Sequence, residues 1–223
     1  LRRRLADLHA QRVATWAPAK LQVNINQRAT LVLEAPQRRF PRPGDHVADF
    51  DVPEVDGETL RLDTLLAHGP VVLVFFRYAG CPACNIALPY YRDELAPGLR
   101  ALGATLVALS PQVPERLVEI TRRHDLGFAV ASDLNNRLGR RFGILYSYDA
   151  ASRAASEERG RTIGEETGTG TWELPMPAVI VIDRGRVVRY ADVSPDWLVR
   201  TEAEDVLQQV RALAVAQAQA APA

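Results

Sequence analysis

Residues 71–91, VVLVFFRYAGCPACNIALPYY, join a strand signal to a helix signal and hold both cysteines of the chain. VVLVFF (71–76) is a continuous apolar, β-branched run, the pattern of a strand buried on both faces. After the short turn Tyr78-Ala79-Gly80, the apolar positions Ile86, Leu88, Leu95, Leu99 and Leu102 follow helical spacing. Pro82 suits the first helical turn because it has no N–H to satisfy. Pro89 falls inside the helix and predicts a kink.

Cys81 stands where this helix begins, so unpaired backbone N–H groups and the helix dipole point at it. Both stabilise a thiolate, the reactive form of cysteine. Cys84 lies one turn on, on the same side, close enough to attack an oxidised Cys81. Three readings compete: a redox pair, half of a metal site, and two small apolar residues in a core. A metal site needs two more ligands, and His9, His46, His68 and His124 offer no second paired motif. Buried cysteines are common but seldom arranged this way. The expectation is a redox pair and no metal, with Cys81 as nucleophile and Cys84 as resolver. A metal-binding or assembly module using the pair is the alternative of another class.

Outward from this stretch the pattern alternates. ADFDVPEVDGETLRL predicts two extended pieces around a turn at Asp56-Gly57. ATLVALS (104–110) and FAVAS (128–132) read as strands. Between them a helix begins near Pro114 and stops at Gly127. Asp133 is a candidate N-cap for DLNNRLGRRFG. Residues 145–173 are polar and end Gly-rich, predicting a long loop that borders the site and limits access to it. AVIVID and RVVRYADV predict a hairpin across Arg184-Gly185. A helix is expected from Ser194-Pro195, and Thr201 with Glu204 matches a capping box for a last helix. Strand–helix–strand–helix followed by a hairpin and a helix is an α/β plan.

Upstream, residues 1–16 read as a helix with Leu1, Leu5 and Leu8 on one face, continued by Val13 and Trp16. It is expected to pack on the main domain or on a second copy, so a homodimer is a candidate assembly. LVLE (31–34) fits a strand or a helix end. APQRRFPRPGDH (35–46) reads as a linker. The expected division is an N-terminal helical extension and linker (1–40), a main domain (41–215) and a flexible tail (216–223).

Composition bounds the function. The chain has 223 residues, 47% hydrophobic and 24% charged, with zero formal net charge. That balance gives no sign of a nucleic-acid or acidic-membrane partner. Two cysteines cannot make a disulfide-dense scaffold. No apolar run approaches the roughly 18–20 residues of a membrane span. The first residues lack the apolar core of a signal peptide, so the expected location is the cytoplasm.

The segments GDHVADFDVPEVDGETLRL, FFR…CPACN, LVALSPQ, ASDLNNRLGRRFGI, WELPMPAVIVID and ADVSPDW, in that order over roughly 43–212, resemble the peroxiredoxin-like branch of the alkyl hydroperoxide reductase/thiol-specific antioxidant family, within the thioredoxin superfamily. The resemblance implies a thioredoxin-like fold, a central mixed sheet flanked by helices. It implies a cis proline facing the thiols, matched here by Pro177 after Met176. Trp172 and Met176 would then flank the thiols as an apolar docking surface, with Tyr78, Pro82 and Pro177 completing the substrate contacts. Three positions depart from true peroxiredoxins: Tyr78 stands where they carry a threonine, Val74 where they carry a proline, and Pro177 where they carry an arginine. Arg77, four residues before Cys81, is the candidate replacement, since a nearby cation lowers a thiol pKa and polarises a peroxide. Gly80 replaces the aromatic residue that often precedes the first cysteine, which opens the site. The implied function is thiol-dependent reduction of hydroperoxides through a dithiol/disulfide cycle. General thiol–disulfide exchange is the alternative. Either needs no bound cofactor, only an external donor, a thioredoxin-type protein or a low-molecular-weight thiol.

Overall fold

A computed structural model describes residues 1–160 and 162–220, and the apolar run at 71–76 lies at its centre. Two helices open the chain, α1 (Arg2–Thr15) and α2 (Pro18–Glu34). The antiparallel hairpin β1 (Asp51–Pro53) and β2 (Thr59–Arg61) turns at Asp56-Gly57, as predicted, and leads into α3 (Leu62–His68). Next come β3 (Val71–Phe75), α4 (Pro82–Glu94), α5 (Ala96–Ala101), β4 (Thr105–Ser110), α6 (Pro114–His124) and β5 (Ala129–Ser132). The order continues α7 (Arg137–Arg141), β6 (Leu145–Ser147), α8 (Ala150–Glu157), α9 (Ile163–Thr167) and β7 (Glu173–Pro175). The chain closes with β8 (Ala178–Ile182), β9 (Val188–Val193) and α10 (Ala203–Ala220).

Among the described residues the central sheet runs β5-β4-β3-β8-β9. β3, β4 and β5 are parallel, whereas β8 is antiparallel to β3 and β9 to β8. Every residue of β3 is buried, as a strand covered on both faces requires. Its side chains alternate between two apolar layers. Val72, Val74 and Phe76 face the layer holding α4 and α10, and Val71, Leu73 and Phe75 face Val52, Leu62 and Ile180. Truncating a fully buried leucine such as Leu73 to alanine is expected to cost about 2–5 kcal/mol.

Several expectations change at this level. The helix after Cys81 is two helices. Pro89 lies within α4, but the break comes at Leu95, where Pro97 starts α5. The described residues of the 145–173 segment form β6, α8 and α9 and the start of β7, and the two strands pair with each other, so their backbone groups find partners. Ser194-Pro195 starts no helix; Asp196 closes a turn there by accepting from the N–H groups of Leu198 and Val199. Thr201 forms no capping box, because its hydroxyl donates to Asp192 (2.8 Å) and Glu204 pairs with Arg211. Asp133 caps at a distance: its carboxylate accepts from the N–H groups of Leu138 and Gly139, in the first turn of α7. The expected flexible tail begins inside α10, which continues to Ala220; residues 221–223 lie outside the described part.

The N-terminal helices join the main core. Leu1, Leu5 and Leu31 share one buried cluster with Cys81, Cys84 and Leu88. Val13 is 56% exposed and does not continue that face; Arg12 is buried instead. LVLE ends α2. Among the described residues no helix is long and apolar enough to cross a membrane.

Candidate active site

β3 ends at Phe75, and the next residues carry the chain across the end of the sheet to Cys81, the N-cap of α4. This turn is held from two sides. The N–H of Ala79 donates to Gln112 (2.8 Å), and Ser110 donates to the carbonyl of Arg77 (3.0 Å). From α4, the Asn85 amide donates to the carbonyls of Ala79 (2.6 Å) and Cys81 (2.9 Å). His124 Nε2 lies 2.7 Å from Asn85 Oδ1 and fixes that amide. Ser110, Gln112 and Asn85 escaped the sequence reading, because their role depends on neighbours β4 and α6 supply.

Both thiols are free and buried, and the N–H of Cys84 donates to the carbonyl of Cys81 (3.0 Å). Each sulfur has its own guanidinium. Arg77 Nη1 stands 4.0 Å from Cys81 Sγ, and Arg200 Nη2 stands 3.4 Å from Cys84 Sγ. Both arginines are buried, so these charges act in a medium that screens them little. Burial raises the Cys81 thiol well above its ordinary value, and the hydrogen bond it donates to Cys84 adds to this, against the pull of Arg77 and Arg200. Burial also opposes ionisation of Cys84, but that same hydrogen bond and the charge and hydrogen bond of Arg200 reverse it, leaving Cys84 well below the ordinary thiol value. Arg200 thus favours negative charge on the Cys84 side of the pair. The helix N-terminus favours the anion on Cys81, and the charged donor of Arg200 at hydrogen-bond distance pulls it toward Cys84.

Arg77 is enclosed by aromatic rings. Its guanidinium carbon lies 4.4 Å from the Trp197 ring centre and 5.6–6.0 Å from those of Tyr78, Tyr146 and Tyr148. Nη2 donates to the Tyr148 hydroxyl (2.8 Å). The rings form a ladder: Tyr146 stacks on Trp197 (5.8 Å) and Tyr148 (6.3 Å), and Tyr148 meets Trp172 (6.1 Å). Such faces favour a desolvated cation.

The predicted contact residues separate. Tyr78 lines a cleft of about 230 Å³ beside Gly80, walled on the far side by Ser156, Arg159, Ile163 and Glu166. The 145–173 segment thus borders the turn that leads to Cys81. Pro82 is exposed on the first turn of α4. Trp172 packs on Tyr148 and lies under Arg153 (5.6 Å), two rings away from Trp197 along the ladder. Met176 is fully buried and offers no docking surface. The Met176–Pro177 bond is trans, as are all described peptide bonds. The reason is local. β7 pairs with β6, the Met176 N–H donates to Ile144 (2.8 Å), and the Pro177 carbonyl accepts from Ser194 (2.7 Å). The backbone runs extended from β7 into β8, with no sharp turn for a cis bond to make.

Among the described residues no three His, Cys, Asp or Glu side chains gather as metal ligands.

A model of the AhpC/TSA family matches residues 43–191. A Mycobacterium tuberculosis protein bearing a peroxiredoxin name is 31% identical over 103 residues, 46% of this chain and 66% of the relative. Peroxiredoxin Bcp of Escherichia coli K12 is 29% identical over 104 residues, 46% of this chain and 65% of the relative. The match thus spans just under two thirds of these relatives' own length. Among solved structures, peroxidoxin BcpB from Mycobacterium tuberculosis aligns with a TM-score of 0.60 at 25% identity, over 78% of this chain and 98% of that one.

Proposed function

The chain belongs to the AhpC/TSA family, and from that premise we propose that it is a thiol-dependent peroxidase cycling between the Cys81/Cys84 dithiol and an intramolecular disulfide. One observation carries this: two free buried thiols one helical turn apart, each facing its own buried arginine, at 4.0 and 3.4 Å.

The cycle begins from a thiol on Cys81 hydrogen-bonded to a thiolate on Cys84. A proton passes along that bond from Cys81 to Cys84, creating the nucleophile at the helix N-terminus beside Arg77. The Cys81 thiolate attacks the distal oxygen of a hydroperoxide. An S–O bond forms, the O–O bond breaks, and the electron pair leaves on an alkoxide that takes a proton from solvent. Arg77 holds its charge beside this step; burial works against it, but the surrounding phenols and Cys81 keep it ionised. Cys84, losing its proton, then attacks the sulfur of the Cys81 sulfenic acid, and water leaves. One hydroperoxide and one proton are consumed, and one alcohol and one water are released. An external dithiol protein or small thiol restores the pair, and no resident cofactor takes part. The reaction belongs in the reducing cytoplasm.

Stopped-flow oxidation of the reduced protein by hydrogen peroxide tests the proposal. Saturable or second-order loss of two thiols per peroxide, faster than for a free thiol at the same pH, is expected. A rate no faster than free cysteine, combined with efficient turnover of a protein disulfide, would replace it with thiol–disulfide exchange.

A further inference from the structure

Between α1–α2 and α8 lies a second, smaller cleft of about 70 Å³ that reaches Arg77 from the N-terminal side. Trp16, Lys20, Gln27, Arg77, Arg159 and Trp197 line it. Arg77 is 6% exposed and its Nη atoms face Tyr148 and Cys81, yet its Nε has no partner. Two further guanidiniums are buried nearby. Arg12 leaves Nη1 without a partner, and Arg28 leaves Nε. Trp16 is flanked by Arg12 (4.9 Å) and Lys20 (4.6 Å).

The carboxylates do not balance these charges. Asp196 places both oxygens on Arg28 Nη1, at 3.0 and 2.8 Å. Asp149 turns its carboxylate to the N–H of Ser152 and caps α8. Among the described residues Arg28 pairs with Asp196, while neither Arg12 nor Arg77 pairs with a carboxylate, which leaves their charge facing only the thiol pair before Lys20 and Arg159 are counted. Burial, with the charges of Arg77 and Arg28, pushes the Arg12 pKa down, against the pull of Cys81 and Tyr78. Buried cations with unmet donors call for an anion, since an unpaired buried charge is among the costliest features a fold can carry. A single water needs roughly 10–15 Å³, so this cleft takes a small polar group and not an extended ligand.

We propose that this cleft binds a small oxyanion, a carboxylate or a phosphate, with Arg77 and Lys20 as direct partners and Arg12 and Arg28 as the charges behind them. The site stands on charge, unmet donors and volume, and does not depend on the peroxidase reading. Its occupant would meet the guanidinium that faces Cys81, linking anion binding to the thiol pair.

The test is a titration of the reduced protein with sodium phosphate and, separately, sodium acetate, at constant ionic strength against sodium chloride. Binding is followed by calorimetry and by tryptophan emission, because two of the three tryptophans line the cleft. Saturable one-site binding, at least tenfold tighter than chloride for either probe, is expected. Which probe binds separates a carboxylate-bearing from a phosphate-bearing natural ligand. Lys20→Gln should weaken binding several-fold and Arg12→Met should remove saturation. A Cys81→Ser/Cys84→Ser variant should still bind, which keeps this result separate from any failure of the thiol chemistry. Absence of saturable binding by both probes, or unchanged affinity in Lys20→Gln, would overturn the site. Lys20 is exposed and its substitution leaves the core intact, so that variant decides the matter even if Arg12→Met fails to fold.

Discussion

The two thiols sit one helical turn apart but in different company. Cys81 faces Arg77, a cation shared among four aromatic rings and a phenol hydroxyl. Cys84 faces Arg200, whose Nε is fixed on the carbonyl of Trp197 (3.0 Å) and whose Nη2 is given to the sulfur. The first arrangement divides the charge of the guanidinium; the second aims it. A helix N-terminus and an aimed donor thus compete for the anion, one acting on Cys81 and the other on Cys84.

The sharpest way to break this comparison is to remove each sulfur in turn. Cys81→Ser should abolish peroxide reduction, a loss of at least a thousandfold. Cys84→Ser should keep one oxidation per chain and accumulate a sulfenic acid on Cys81, readable by mass spectrometry with a sulfenic-acid probe. Sulfenic acid on Cys84 in the Cys81→Ser protein, formed at the wild-type rate, would exchange the two roles.

Next is Arg200→Met. The wild-type dithiol should show thiolate absorbance persisting well below the ordinary thiol pKa of about 8.5 and disappearing as pH falls through the lowered value of Cys84. In the variant that titration should move upward. With each pKa unit worth about a factor of ten in thiolate, alkylation near pH 6 should slow by roughly 10–100-fold, and the gap should close above pH 9. A parallel loss at all pH values would mean that Arg200 serves packing alone.

Arg77→Met should have a smaller effect, because that guanidinium stands farther from its sulfur, 4.0 against 3.4 Å. A roughly tenfold fall in the peroxide rate is expected, about 1.4 kcal/mol of lost transition-state stabilisation, with partial recovery in Arg77→Lys. Stopped-flow rates at one pH suffice to rank it against Arg200→Met.

Gly80→Ala should have the smallest effect. A Cβ there would come within 3.2 Å of Glu166 Oε1 and 3.3 Å of the Tyr78 ring, narrowing the cleft beside the turn that leads to Cys81. Hydrogen peroxide should react nearly as before, while a bulky organic hydroperoxide should slow a few-fold. Equal slowing of both would place the approach to Cys81 elsewhere.

The sequence by itself determined what depends on neighbours along the chain. The apolar run at 71–76 has the pattern of a covered strand, Pro82 after Cys81 suits the first turn of a helix, and Arg77 is tied to Cys81 by four residues of chain. The Asp56-Gly57 and Arg184-Gly185 turns were legible for the same reason. Tertiary structure alone decided the rest. Arg200 lies 116 residues from Cys84, delivered by a turn where a helix had been expected. Residues 145–173 look like a polar loop until their two ends pair as β6 and β7. Arg12 and Arg28 carry no sequence signal of the burial that the fold gives them. Pro177 stays trans because strands on either side hold the backbone extended. Local spacing fixes which residues share an element, but the field at a buried sulfur is the sum over every charge the fold brings near it, and that sum has no local signature.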